Sequence, residues 1–365
     1  MISAMLSGMS QLAGRAWPSR LALLAAAAAL ASPSVADVAD VGAEAGGGLS
    51  AVKASEKVRA WPGGKEISGI TWAGGDTYYA VDDADGRLYR LSIVLGPSGS
   101  IVSNRIESSV AVSGANDMEG CAFDPLTGNV WVSDEFDATI REIDPKTGAA
   151  LRSVDVPAVQ KQFYYNFSLE SLDISKDGLS MWTCNEETLR CDGTNSTKTA
   201  GSVVRLTRFV RRSAGDDWTA SGQWAYVTEP VGTNPFVWKG YARTRSGVSD
   251  VAVMPDGTLL VLERTYRHEG VLADDFYARV YSVDFSGATD VSGIASLKGA
   301  EYVCAKKSLL YSTGRMTMVN YEGMCLGPSI GGADGEAASL VLVSDSGQRT
   351  SPRLMTLRLS ASRAE

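Results

Sequence analysis

One histidine, His268, occurs in 365 residues. A Ser-His-Asp or Cys-His mechanism would have to run through it, and nothing in "ERTYRHEG" resembles a nucleophile motif. The same scarcity argues against an imidazole-rich transition-metal centre. There are five cysteines and no Cys-x-x-Cys pair, which argues against a structural zinc site. Positive charge is in the minority: 34 Lys and Arg stand against 42 Asp and Glu, for a formal charge of -8 and a pI near 5.0. Phosphate backbones attract basic surfaces, so no nucleic acid partner is expected. A phosphate ester held through a bound cation stays open. The apolar run Leu21 to Ala31 is only 11 residues, short of the ~20 a spanning helix needs, so no membrane span is expected.

That run fits an export signal instead. Arg15 and Arg20 precede it or flank it, and no acid occurs before Asp37. "SPSVAD" sets Ser34 and Ala36 at the small-residue positions of a cleavage site. The expected layout is a signal peptide over 1–36, a flexible lead-in over 37–57 and a single domain over 58–360, in a secreted or periplasmic monomer. In an oxidising compartment Cys184 and Cys191, which bracket "NEETLR", are expected to form a disulfide. Cys304 and Cys325 are a second candidate pair, which leaves Cys121 as a small buried hydrophobe.

What the chain does have is repetition. "KEISGITWAGGDTYYAVDDADGRLYRLSI" starts at Lys65 and "NDMEGCAFDPLTGNVWVSDEFDATIREID" at Asn116. "FSLESLDISKDGLSMWTCNEE", "SGVSDVAVMPDGTLLVLERTY" and "NYEGMCLGPSI…ASLVLVSDSG" follow the same order. Each copy opens with a short strand, turns through Pro, Asp or Gly, and runs a more apolar second strand that ends in a polar residue. A third, alternating strand follows. Fourth strands are expected in "NRIESSVAV", "ALRSVDVP" and "GQWAYVTEP". Such units are blades of an all-β propeller of four-stranded antiparallel sheets, which buries both faces by packing blade on blade. Five blades are legible. The stretches around Trp238 and Tyr302 leave room for a sixth, and "AVKASEKVRAWPG" is placed to complete the last blade.

In a propeller the first strand of each blade lines the channel. The antiparallel second strand ends where the first begins, so residues at those two places meet at one mouth. The opening position of strand 1 holds Ser68, Glu119, Glu170, Ser249 and Glu322. The last position of strand 2 holds Asp82, Asp134, Asn185, Glu263 and Asp345, with Asp83, Glu135, Glu186, Asp117 and Asp250 beside these two sets. Clustered carboxylates repel unless protonated or bound to a cation. Outside the cytosol calcium suits oxygen-only ligands, so Glu119, Asp134, Glu170, Asn185, Glu322 and Asp345 are the candidate metal ligands.

The ordered set "EISGI…YYAVDDADGRLYRL", "DMEGCAFDP…VWVSDEF", "SLESLDISKDG", "GVSDVAVMPDGTLLVLERTY" and "NYEGMCLGPS…LVLVSDS" resembles the phytase-like domain family named for an esterase-like activity of phytase. The likeness spans roughly Lys65 to Leu359. It implies a secreted or periplasmic β-propeller that hydrolyses a small phosphoester or ester. Ser68 and Ser249 depart from the acid usual at their positions. On this reading Glu119, Glu170 and Glu322 are the candidate catalytic acids, with calcium as cofactor. Arg264 and His268 would contact substrate. The alternative is a non-catalytic, calcium-pinned propeller that binds a ligand or protein through its rim loops.

Overall fold

The computed structural model describes residues 49–58, 66–232, 243–268, 274–314, 319–331, 335–345 and 352–361. The export segment and the stretch around Trp238 lie outside them. The first described strand, β1 (Leu49–Val58), belongs to the last blade, where it pairs with the C-terminal strand. Blade 1 holds β2 (Ile67–Trp72), β3 (Thr77–Asp82), β4 (Arg87–Leu95) and β5 (Ile101–Ala111). Blade 2 holds β6 (Met118–Phe123), β7 (Val130–Asp134), β8 (Thr139–Ile143) and β9 (Ala150–Ser153). Blade 3 holds β10 (Asp173–Ile174), β11 (Ser180–Thr183), β12 (Val203–Val210) and β13 (Thr219–Val227). Blade 4 holds β14 (Arg243–Val253), β15 (Leu259–His268), β16 (Asp274–Asp284) and β17 (Lys306–Ser312). Blade 5 holds β18 (Asn320–Ile330), β19 (Ala337–Asp345), β20 (Arg353–Ala361) and β1.

Every sheet is antiparallel and four-stranded, so the architecture is a five-bladed propeller. The inner strands β2, β6, β10, β14 and β18 each touch the next around the ring, and β18 returns to β2. The alternation of each strand fills the gaps between blades. Ile67 and Tyr78 meet Val341 and Val343 between blades 1 and 5, and Trp131 meets Leu172 and Phe209 between blades 2 and 3. Trp182 meets Val251 and Val261 between blades 3 and 4. The second strands, covered on both faces, are the most apolar, as in β7, whereas the outer strands β5, β9 and β17 are largely exposed.

Three expectations change. β1 takes residues 49–57 from the stretch read as a flexible lead-in, and it includes most of the closing strand expected in "AVKASEKVRAWPG". Its pairing with β20, from Leu49↔Ala361 to Val58↔Arg353, joins the two ends of the chain and completes blade 5. No sixth blade forms at Tyr302. Residues 285–305 make only an isolated bridge, Trp224↔Asp290, and lie as a strap against β13, the outer edge of blade 3. The Cys184–Cys191 disulfide is absent, and all five cysteines are free. Cys184 is turned into the apolar gap between blades 3 and 4, whereas Cys191 sits beside Asp192. Cys325 lies in the gap between blades 1 and 5, and Cys304 packs under the strap. Sequence proximity placed the first pair together; the turn after β11 buries Cys184 between blades and leaves Cys191 in the insertion before β12. Among the described residues no helix is long and apolar enough to cross a membrane.

Candidate functional site: an acidic channel mouth

The opening of each inner strand carries the same irregularity. The ladder skips one residue in β2 between Ile67 and Gly69, in β14 between Val248 and Asp250, and in β18 between Tyr321 and Gly323. In β6 it skips from Met118 to Cys121. The residues left out of pairing are Ser68, Glu119 with Gly120, Ser249 and Glu322. In blade 3 an isolated bridge, Leu169↔Asn185, precedes β10, and Glu170 falls just after it. A bulge frees a side chain from the ladder and re-aims it. Here it turns the opening residue of each blade toward the channel mouth.

The same register decides which second-strand residues join them. Ile67, Met118, Leu169 and Val248 belong to the cores between blades, and they pair with Asp82, Asp134, Asn185 and Glu263 respectively. Cross-strand partners share a face. Those four therefore point between blades, and the following residues, Asp83, Glu135, Glu186 and Arg264, turn into the mouth. Asp134 is held by Arg141 at 2.5 Å and accepts the Asn116 N–H. Asn185 donates to the Glu187 carbonyl and accepts the Arg205 N–H. Glu263 is fully buried and accepts hydrogen bonds from Tyr226, Lys307 and the Glu229 N–H. Of the six proposed ligands, then, Glu119, Glu170 and Glu322 reach the mouth, while Asp134 and Asn185 face elsewhere. Asp345 lies at its edge, 3.4 Å from Asn320 Nδ2, and its charge acts on Asp83. The backbone of His268 ends β15, paired with Arg243 and Asp274, roughly 13 Å along the strand from Arg264.

Carboxylate oxygens of Glu119, Glu135 and Glu170 lie within 4.8 Å of one another, and those of Asp83, Asp117 and Glu119 form a second such group. Arg264 takes the other side of the mouth. Its guanidinium donates to Glu186 of blade 3 and Glu322 of blade 5 and stands 3.6 Å from Glu170. Glu322 also accepts from Asn320 Nδ2 at 2.7 Å. Seven carboxylates thus face one cation among the described residues. Burial is the first cause that raises the carboxyl groups of Asp83, Asp117, Glu119, Glu135 and Glu170, with mutual repulsion added. Asp83 is pushed up to about 7 by burial and by Asp345, and Glu135 to about 9 by burial and by Glu186. Glu119 and Glu170 rise well above the usual glutamate range for the same reasons, with Arg264 pulling them back.

Glycine next to the acids lets the carboxylates come this close. A Cβ on Gly120 would lie 2.5 Å from the Leu172 nitrogen and 2.6 Å from the Ser171 carbonyl carbon, both in the segment that leads into β10. Gly69 meets the Glu119 carbonyl oxygen at 2.3 Å in the same way. Backbone thus packs on backbone, and Glu119 is carried up to Glu170. Gly120→Ala should cost about 1–3 kcal/mol through forced backbone movement. Chemical denaturation of the variant checks this; unchanged stability would show that the strands can part freely.

Glu135 and Glu186 were legible only as neighbours of the aligned positions. The repeated pairing of an acid with Gly or Ser, as in "EG" and "ES", was the available signal for the bulge that brings them in. A Cα-level likeness to solved structures is loose. The chain aligns with Kuenenia stuttgartiensis hydrazine synthase at 12% identity and TM-score 0.34, over 77% of this chain and 56% of that one. It aligns with Myxococcus xanthus glutaminyl cyclase at 12% identity and TM-score 0.39, over 86% and 98%. A chain of a nidogen/laminin complex gives 9% identity and TM-score 0.36, over 87% and 100%. Likeness at this level carries nothing about the activity. No curated protein matches. The family described as "Phytase-like: Esterase-like activity of phytase" matches residues 63–346, from the first blade to the end of β19, and the chain belongs to that family.

Proposed function

We propose that the protein is a cation-dependent hydrolase of a small phosphoester or ester, with calcium at the acidic mouth. One observation carries this reading: the oxygens of Glu119, Glu135 and Glu170 converge within 4.8 Å, and the cation nearest them among the described residues, Arg264, is engaged by Glu186 and Glu322. Family membership supports the hydrolase class. All-oxygen, acid-rich donors suit calcium. Glu119, Glu135 and Glu170 would hold it, with Asp83 and Asp117 beside them. A cation there would supply Lewis acidity toward a phosphoryl or carbonyl oxygen and toward water. Arg264, at the rim of the same mouth, can offer a donor to an anionic substrate oxygen. A carboxyl group titrating near neutrality, such as Asp83, suits proton transfer. Export to a calcium-rich compartment belongs to the same proposal, and so does monomeric action.

Calcium should raise the melting temperature, since a ligand that binds only the folded state stabilises it by about 2.7 kcal/mol at a hundredfold excess over Kd. Glu119→Gln should weaken that response and abolish hydrolysis in a panel of ester, lactone and phosphoester substrates. In chelator the pH trend follows from the raised carboxyl groups. The folded chain keeps protons that the unfolded chain has lost, so stability should fall as pH rises from 4.5, the usual glutamate value, through about 9, the value for Glu135. Calcium should flatten that slope. A response to calcium without turnover would leave the ligand-binding propeller. A flat calcium titration in thermal melts would overturn both readings.

A further inference from the structure

The end of the channel away from the acids holds a cavity of about 360 Å³. It is built where the inner strands finish and turn: Thr71 to Gly74 of blade 1, Phe123 and Pro125 of blade 2, Asp173 to Lys176 of blade 3, Val253 and Pro255 of blade 4, and Cys325 to Gly327 of blade 5. This volume falls within the roughly 300–1,000 Å³ typical of small-molecule sites. Its walls are Trp72, Phe123, Ile174, Val253 and Leu326. Asp173 is the carboxylate among its lining residues. Its Oδ2 accepts the Val253 N–H at 2.7 Å, which fixes the side chain across the blade 3–blade 4 boundary.

We propose that this cavity is a second ligand site, selective for a small apolar amine whose ammonium group pairs with Asp173 and whose hydrocarbon body lies against Trp72 and Phe123. The proposal does not depend on the cation at the other mouth. Asp173 is deep in the protein, yet the cavity admits solvent to it. Burial pushes its carboxyl up to about 7, and no basic group among the described residues pulls it back. The charged groups that act in its neighbourhood are of its own sign or neutral: Asp250 of β14, and the thiols of Cys121 and Cys325 on β6 and β18. Lys176 is exposed at the rim. An ionised Asp173 therefore lacks a counter-charge, and an ammonium would supply one. The apolar walls reject a fully hydrated cation but accept one that carries an aromatic or aliphatic body. A metal ion is a poor occupant, because the lining offers a single carboxylate.

Calorimetric titration of the full chain with 2-phenylethylamine, and with 2-phenylethanol as its neutral counterpart, tests the assignment. The amine should bind at least about tenfold more tightly than the alcohol, the margin of one charge-assisted hydrogen bond. Asp173→Asn keeps an acceptor for the Val253 N–H and should erase the preference while the protein stays folded. Ser329→Trp, on an exposed lining position, should block both probes without touching Asp173. Glu119→Gln and added calcium should leave amine binding unchanged. Failure of the amine to bind would overturn the site. So would a preference that survives Asp173→Asn, or amine binding lost with Glu119→Gln, which would place the amine at the acidic mouth.

Discussion

Arg264→Gln is expected to cost about 3–5 kcal/mol of folding stability, the usual consequence of removing one partner from a buried ion pair. The guanidinium holds Glu186 and Glu322 on opposite neighbours of its own blade and faces Glu170 at 3.6 Å. Glu186 and Glu322 are buried, with side chains 5% and 10% exposed. Without Arg264 both would face Glu119, Glu135 and Glu170 with no fixed positive charge. Two features separate this from a simple packing loss. Adding Glu322→Gln to the Arg264→Gln variant should recover part of the stability, because a carboxylate left unpaired is removed. Calcium should stabilise the Arg264→Gln variant more than the parent, because more negative charge is then left to neutralise. Urea denaturation with and without calcium measures both. A loss below about 1 kcal/mol, or a calcium response smaller than the parent's, would show that the mouth does not depend on this guanidinium.

The propeller was legible because its signals are local and repeated. A short strand, a turn, an apolar strand and an alternating strand recur five times, and each follows from residue type and a period of two. The closing strand was legible from a missing partner: "RLMTLRLS" had no successor, and β1 supplies it. What escaped was register. Aligning the copies brought Asp134 and Asn185 to the mouth, one residue early. The bulges at Ser68, Glu119, Ser249 and Glu322 change which residues face which side, and a one-residue change reverses the face. A bulge depends on the neighbouring strand and on the space that Gly120 leaves, neither of which a single strand states. Arg264 sits next to Glu263 in sequence; the alternation puts one at the mouth and the other among Tyr226, Lys307 and the Glu229 N–H.

Register and burial also explain the stretch that resembled room for a sixth blade, and they set the other large expected effect. Arg205→Met should cost about 3–5 kcal/mol. Arg205 lies on β12 with a fully buried side chain, as does its partner Asp192. Nε and Nη2 donate to the two Asp192 oxygens at 2.6 and 2.8 Å. Nη1 donates to Gln223 Oε1 and the Val291 carbonyl, both at 3.1 Å, and Nη2 also reaches the Ile294 carbonyl at 2.8 Å. Asp192 in turn accepts the Leu297 N–H at 3.0 Å. One side chain thus ties the insertion between β11 and β12, the outer strand β13 and the strap over 285–305 into a single block. Removing the guanidinium takes its donors from Gln223 Oε1 and from the Val291 and Ile294 carbonyls, so the loss is of hydrogen bonds as well as charge. Arg205→Lys should rescue little, since an ammonium cannot present the planar fork that the two Asp192 oxygens meet. Adding Asp192→Asn to Arg205→Met should return part of the loss by removing the stranded charge. The strap lies on the outer edge of blade 3, so calcium should still raise the melting temperature of Arg205→Met by the parental amount. Guanidine denaturation of the three variants checks the argument. Equal stability of Arg205→Lys and the parent would mean that the block is held by its apolar contacts among Ala225, Val291 and Leu297 instead.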